Sequence, residues 1–267
     1  MPQSFAGPPF DLEDLIPELA VLGQRTTLLL PKNGSPGIRE SSLGGPILWP
    51  ADEPWPSCGQ PGHWAWPNEK SPAGTVPMVP VVQLFARDVP ELAFPDGMDV
   101  LQLVWCPLIH PLDHAAAALP KLYWRSEADV LATEVLRNSP APQEGEYEED
   151  FMPQPCAVSP TTAVEYPNWD LPPGLRQTLQ PRIEELERHF DLEYTRFAGA
   201  LQSKVGVYPA WNQPPDWPDC ERGHRMEHLL SITAEEDLDM DIGDMGSIYI
   251  FLCRQCSHLP YTHRYDC

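Results

Sequence analysis

Seven cysteines and eight histidines are the residues of this chain best suited to chemistry, and four of them fall in metal-ligand spacing near the C-terminus. Cys220-Glu-Arg-Gly-His224 is a Cys-x3-His pair, and Cys253-Arg-Gln-Cys256 is a Cys-x2-Cys pair. Three sulfurs and one imidazole suit the tetrahedral preference of Zn2+, and a closed four-ligand set leaves no position open for catalysis. The short spacing lets a tight turn bite the metal from one side, with Gly223 supplying a permissive backbone. The reading is a structural zinc site at Cys220, His224, Cys253 and Cys256, whose binding free energy holds a C-terminal hairpin. The bland alternative is a set of reduced thiols beside a surface histidine. His228 also follows Cys220 closely, but a strand starting near Met226 points it away. His263 and Cys267 at the chain end are lesser competitors.

A looser echo lies upstream. Cys58-x4-His63 and Cys106-x3-His110 would complete a Cys2His2 set, but the Pro61-Gly62 turn and Pro107 disturb the bite. The expectation there is a degenerate copy with two buried cysteines, a second zinc being the alternative. Cys156 has no counterpart and reads as a plain core or loop thiol.

The two sets belong to a repeat. Shifting the chain by the 162 positions that carry Cys58 onto Cys220 also carries Gly44 onto Gly206, Trp49 onto Trp211, Trp55 onto Trp217 and Pro56 onto Pro218. Chance would give about one identity in such a window. After a length change, Met78–Leu84 parallels Met226–Ile232, and Val100–Cys106 parallels Ser247–Cys253. These β-branched and aromatic runs between turn residues read as largely buried strands. Each copy is thus a tryptophan-rich loop, a cysteine, a strand, a turn, a strand and a second cysteine.

The elements that must position these copies follow from the rest of the chain. Proline, at 34 of 267 residues, argues for short strands and rigid loops, because it removes a donor and blocks helix. Leu179, Ile183, Leu186 and Phe190 recur on one face of a helix over 175–191, with Pro181 near its start or kinking it. A second helix is expected from about Asp11 to Leu22, kinked at Pro17. The segment Gln143–Asp150 reads as an acidic loop with a disordered state open to it. The organisation is an N-terminal helix and lead-in strand (1–39), a first repeat (40–112), a connecting insert (113–197) and a second repeat with the knuckle hairpin (198–267). The fold class is α+β, dominated by mostly antiparallel sheet.

With 17 basic against 39 acidic residues the net charge is −22, which disfavours nucleic acid and anionic membranes and favours a basic protein partner; plain solubility is the competing account. The first ten residues lack a basic and an apolar secretory region, and no apolar run approaches a membrane span. A cytoplasmic location and reduced or metal-bound thiols are expected. No nucleophile elbow, phosphate loop or His-Glu-x-x-His motif is present, so no catalytic residue is assigned. Glu235–Asp241 lacks calcium-loop spacing and reads as a solvated turn. Trp49 and Trp211 read as repeat cores, whereas the extra pair Trp64 and Trp66 is the better recognition surface.

Gly44–Pro50, Trp55-Pro56, Val81–Leu84 and the stretch from Gly206 through Cys220 to Tyr249–Cys253 resemble the bacterial YwqG-like domain of unknown function. They also resemble its eukaryotic relatives, the programmed-cell-death-protein-2-like and Tsr proteins of ribosome assembly. The resemblance spans roughly 40–110 and 198–267. It implies a duplicated β-rich fold with cysteine knuckles, no established catalysis, and roles as chaperones of a basic ribosomal protein or in toxin–immunity systems. His224 stands where those relatives often have a second cysteine. The resulting expectation is a zinc-stabilised module whose acidic face holds a basic protein client. The rival is an enzyme with a site between the repeats, drawing on Asp52, Glu53 or Asp216.

Overall fold

The computed structural model describes residues 12–66, 71–111, 116–243 and 246–267. Its strands are β1 (Gln24–Leu28), β2 (Pro31–Asn33), β3 (Ser42–Leu43), β4 (Ser57–Cys58), β5 (Val76–Pro77), β6 (Val79–Phe85) and β7 (Val100–Pro111). The chain continues through β8 (Ala116–Arg125), β9 (Cys156–Val158), β10 (Thr161–Glu165), β11 (Lys204–Val205), β12 (Glu227–Thr233), β13 (Ser247–Leu252) and β14 (Tyr261–Asp266). Two six-stranded sheets result, ordered β2-β9-β3-β6-β7-β8 and β10-β1-β11-β12-β13-β14, with β4-β5 as a separate ribbon. The strand pairings among the described residues are antiparallel, and the class is α+β dominated by sheet.

The two sheets match position for position across β3-β6-β7-β8 and β11-β12-β13-β14. The β6/β7 ladder slips between Pro80 and Val82, and the β12/β13 ladder slips between His228 and Leu230. The segments β1-β2 and β9-β10 each cross from one sheet to the other, so the stretches 1–39 and 113–197 lend strands to both.

Apolar runs become central strands here because both of their faces are covered. Along β7, Leu101, Leu103 and Trp105 enter the core shared by the two sheets, while Val104, Cys106 and Leu108 face an outer layer with Trp49 and Met78. Along β13, Ile248, Ile250 and Leu252 enter the same shared core, while Tyr249 and Phe251 face outward onto Trp211. The period-two alternation therefore carries the outward row of each strand into a cysteine, Cys106 within β7 and Cys253 just past β13.

A helical layer caps one end. Helix α1 (Leu12–Leu15) is followed by a 3-10 turn over Pro17–Val21, the break falling where Pro17 was expected to kink a longer helix; Asp11 lies outside the described residues. After α2 (Glu127–Leu131) comes α3 (Pro173–Phe190), which buries Leu179, Ile183 and Leu186 as the spacing predicts and contains Pro181, then α4 (Tyr194–Ala198). Among the described residues no helix is long and apolar enough to cross a membrane.

One feature of the interior has no precursor in the sequence patterns. Lys204 and Glu165 form an ion pair with side chains 0% and 1% exposed. Glu165 also accepts the Ala200 and Tyr208 N–H groups at 3.4 Å, which offsets part of its desolvation.

Candidate metal centres

The C-terminal cluster is built on two tight turns. In the first, the Gly223 N–H donates to the Cys220 carbonyl at 2.7 Å and the Cys220 N–H donates to the His224 carbonyl at 2.9 Å. Gly223 sits at φ 77°, where a side chain would be strained, so glycine is required there. In the second, the Cys253 N–H donates to Pro260 O at 2.8 Å and the Leu259 N–H to Cys256 O at 2.9 Å. His224 Nδ1 lies 3.7 Å from Cys253 Sγ and 3.4 Å from Cys256 Sγ, and Cys220 Sγ lies 3.9 Å from Cys256 Sγ. A tetrahedron with zinc–sulfur and zinc–nitrogen bonds of ordinary length has edges of about 3.8 Å between sulfurs and about 3.5 Å between sulfur and nitrogen. The observed edges are of that size. The ligand atoms of all four residues lie within 4.8 Å of one another.

Aromatic packing holds this cluster from behind. Trp211, Trp217, Met226, Tyr249 and Phe251 surround it, with Trp211 stacked on Phe251 at 5.9 Å. Asp170 Oδ2 accepts both indole N–H groups, of Trp211 and Trp217, at 2.9 Å each. Burial raises the Cys256 thiol to a pKa of about 11, helped by hydrogen bonds to Cys253 and Cys220. Burial also pushes Cys220 upward, but N–H groups of His224 and Arg222 outweigh it and leave that thiol lowered.

The upstream cluster, expected to be degenerate, is assembled as fully. Cys58, His63, Cys106 and His110 are all buried, and their ligand atoms lie within 4.8 Å of one another. Cys58 Sγ is 3.7 Å from His63 Nδ1 and 3.4 Å from His110 Nε2, and Cys106 Sγ is 3.8 Å from His63 Nδ1. His110 Nδ1 donates to the Leu108 carbonyl at 2.9 Å, which leaves Nε2 as the free lone pair aimed at Cys58.

Pro107 and the Pro61-Gly62 turn are part of the bite's construction. In a plain strand Cys106 and His110 would lie about 13 Å apart. The β7/β8 register breaks between them, with Cys106 opposite Leu119 and His110 opposite Ala117, so the bulge folds His110 back. Pro107 lies in that bulge, where no ladder donor is needed, and its carbonyl accepts the Glu148 N–H at 2.6 Å. On the other side Gly62 takes φ 81° and turns the chain so that Trp64 bridges Ile109. A hydrogen bond from the Cys106 thiol draws the Cys58 pKa down to about 3 against the effect of burial, with His110 and His63 assisting. The same bond and burial push Cys106 upward.

Other histidines and thiols lie outside both clusters. His228 is buried, with Nδ1 donating to Gly206 O at 2.8 Å and Nε2 accepting from Ser231 Oγ at 2.9 Å. Its burial, reinforced by Lys204, lowers its pKa to about 3. His263 lies in β14, half-buried. Cys156 is buried and donates to Asp237 O at 3.0 Å, and Cys267 is exposed.

The tryptophans differ in exposure. Trp49 and Trp211 are buried, Trp64 is half-buried, and Trp66 is 68% exposed, its N–H donating to Glu148 Oε2 at 2.7 Å. The acidic segment Gln143–Asp150 folds as turns, with the Glu146 N–H donating to Gln143 O at 2.9 Å. Burial and the nearby Asp241 and Glu149 carboxylates raise the Asp150 pKa, so this segment and the 235–241 turn crowd into one acidic patch.

The carboxylates of the rival enzymatic reading are held by arginines or face solvent. Glu53 is chelated by Arg125 at 2.7 Å through both oxygens, Asp216 pairs with Arg264, and Asp52 is exposed. No protein-family model matches the chain, and no curated protein matches it. Among the described residues two largely buried Cys/His clusters are each able to hold a metal ion.

Proposed function

We propose that the chain is a non-enzymatic, cytoplasmic protein-binding module, built by duplication of one β-rich unit. In this reading each unit is locked by a structural Zn2+, and an acidic face holds a basic protein client. The observation that supports the zinc reading is the pair of four-residue clusters, each with three sulfur or nitrogen separations of tetrahedral-edge size, 3.4–3.9 Å, and all ligand atoms within 4.8 Å. Three thiolates with one imidazole, or two with two, satisfy zinc without leaving room for a substrate. The matching strand order and matching ladder slips of the two sheets support the duplication. The YwqG-like resemblance, with its cysteine knuckles and chaperone or immunity roles, belongs to the same reading.

The client side rests on charge. A net charge of −22 repels nucleic acid and anionic lipid and attracts a basic chain. The exposed Trp66 ring, tied through its backbone to Glu148 of the acidic segment, offers apolar contact area beside carboxylates that can pair with lysine or arginine. Immobilised protein should retain basic proteins of a native lysate at low salt and release them as screening grows, with retention weakened about tenfold by Trp66→Ala. Retention of no basic protein at low salt would count against the client reading and leave the zinc reading untouched.

A further inference from the structure

The two clusters differ in what lies next to them. Cys220 and Cys256 line an open cavity of about 510 Å3, together with Arg222, His258 and Tyr261. Their sulfurs are 3.9 Å apart. Cys253 and His224 do not reach that cavity. The upstream set is closed off: Cys58, His63, Cys106 and His110 are between 0% and 3% exposed, behind the strap formed by Trp64 and Ile109. One cluster therefore has two of its cysteines along an open cavity, with Cys220 the most exposed of the five cluster cysteines at 8%.

We infer that the Cys220–Cys256 pair is an oxidation site, at which a hydroperoxide forms a disulfide and expels the C-terminal metal while the upstream metal stays. The inference rests on the zinc reading of these clusters. In the first step the Cys220 sulfur, the more accessible of the two at 8% against 1%, attacks a peroxide oxygen. A sulfur–oxygen bond forms as the oxygen–oxygen bond breaks, giving a sulfenic acid that would no longer serve as a thiolate donor; the hydroxide that leaves takes a proton from solvent. Arg222 and His258 line the same cavity and supply N–H donors to that leaving group. In the second step the Cys256 thiolate attacks the sulfenic sulfur, expels a second hydroxide and closes the disulfide. Two electrons pass from the two sulfurs to the peroxide, which ends as water. With Cys220 and Cys256 joined, only Cys253 and His224 would remain as donors, two of the four that would hold a zinc ion there. The sulfurs must close by about 1.9 Å to reach bonding distance, a movement within the reach of side-chain rotation. The new bond ties the same two turns together, so the hairpin stays clamped and the change reverses with a thiol reductant and zinc.

The test uses the full zinc-loaded chain carrying Cys267→Ser, which removes the exposed thiol. Hydrogen peroxide is added in the presence of a chromogenic zinc indicator, and the products are mapped by differential alkylation and peptide mass spectrometry. Release of about half of the bound zinc, with a Cys220–Cys256 disulfide and recovery on reduction with added zinc, is the expected result. Retention of all the zinc, a Cys253–Cys256 disulfide, or first loss from the Cys58 cluster overturns the inference while leaving two zinc sites standing. A chain that holds no zinc before the oxidant is added overturns the zinc reading and this inference with it.

Discussion

Trp64 and Ile109 exchange two backbone hydrogen bonds, at 3.0 and 2.8 Å, although 45 residues separate them, and this bridge sets His63 beside His110 with ring centroids 5.2 Å apart. Each histidine is the immediate neighbour of a bridged residue. The pairing therefore converts two distant, proline-flanked segments into one buried four-ligand cluster.

The upstream cluster is expected to hold zinc in its own right. Cys106→Ser should lower the zinc content of the purified protein from about two per chain to about one, and Cys253→Ser should do the same independently. Elemental analysis of each variant, combined with circular dichroism to verify folding, decides the matter. A full zinc complement in Cys106→Ser would remove Cys106 from the ligand set.

Metal removal should loosen the C-terminal hairpin before the rest of the sheet. Prolonged treatment with a strong chelator is expected to lower the melting temperature by about 10 °C or more and to bleach the near-ultraviolet signal of the Trp211–Trp217 layer. Added zinc should restore both. A melting curve indifferent to chelation would contradict a structural role for the metal.

His228 predicts an acid limb in stability. Burial, reinforced by Lys204, lowers its pKa in the fold from the ordinary 6.5 to about 3. Between those values the unfolded chain binds the proton and the folded chain does not, so stability rises with pH through that window. The contribution is complete above pH 6.5 and is lost progressively toward pH 3. Metal ligands also protonate on this limb, so the informative quantity is the difference between wild type and His228→Gln in urea titrations. The variant should be less stable at neutral pH and show a shallower slope; an identical slope would show that His228 titrates normally in the fold.

The buried Lys204–Glu165 pair makes a separate claim. Lys204→Met leaves a carboxylate with no counter-charge in the interior and should cost about 3–5 kcal/mol. Lys204→Met combined with Glu165→Leu should recover a large part of that loss in a double-mutant cycle. Simple additivity of the two single losses would show that the pair is not energetically coupled.

Much of this architecture was legible in the chain because repeated residues carry repeated geometry. The shift that carries Cys58 onto Cys220 also carries Ser42-Leu43 onto Lys204-Val205, and these prove to be β3 and β11, the matched positions of the two sheets. The runs before Cys106 and Cys253 were readable as strands because both faces are buried, so they are apolar throughout. The C-terminal ligands were readable because short Cys-x3-His and Cys-x2-Cys spacings close within single turns. The upstream set was underrated because its closure depends on a strand bulge at Pro107 and on a bridge between Trp64 and Ile109. Neither leaves a periodic trace. The exchange of β1-β2 and β9-β10 between sheets was equally invisible, since three- to five-residue strands carry no topological label. Glu165 and Lys204, 39 residues apart, meet only because β1 lies between their strands.

X-ray absorption at the zinc edge, on protein purified without added metal and quantified by elemental analysis, addresses both clusters at once. The account predicts about two zinc ions per chain in a tetrahedral shell averaging about 2.5 sulfur and 1.5 nitrogen neighbours, at about 2.3 and 2.0 Å. A chain without zinc that fails to take it up, or a shell rich in oxygen neighbours, would contradict the claim that these cysteines and histidines close around metal.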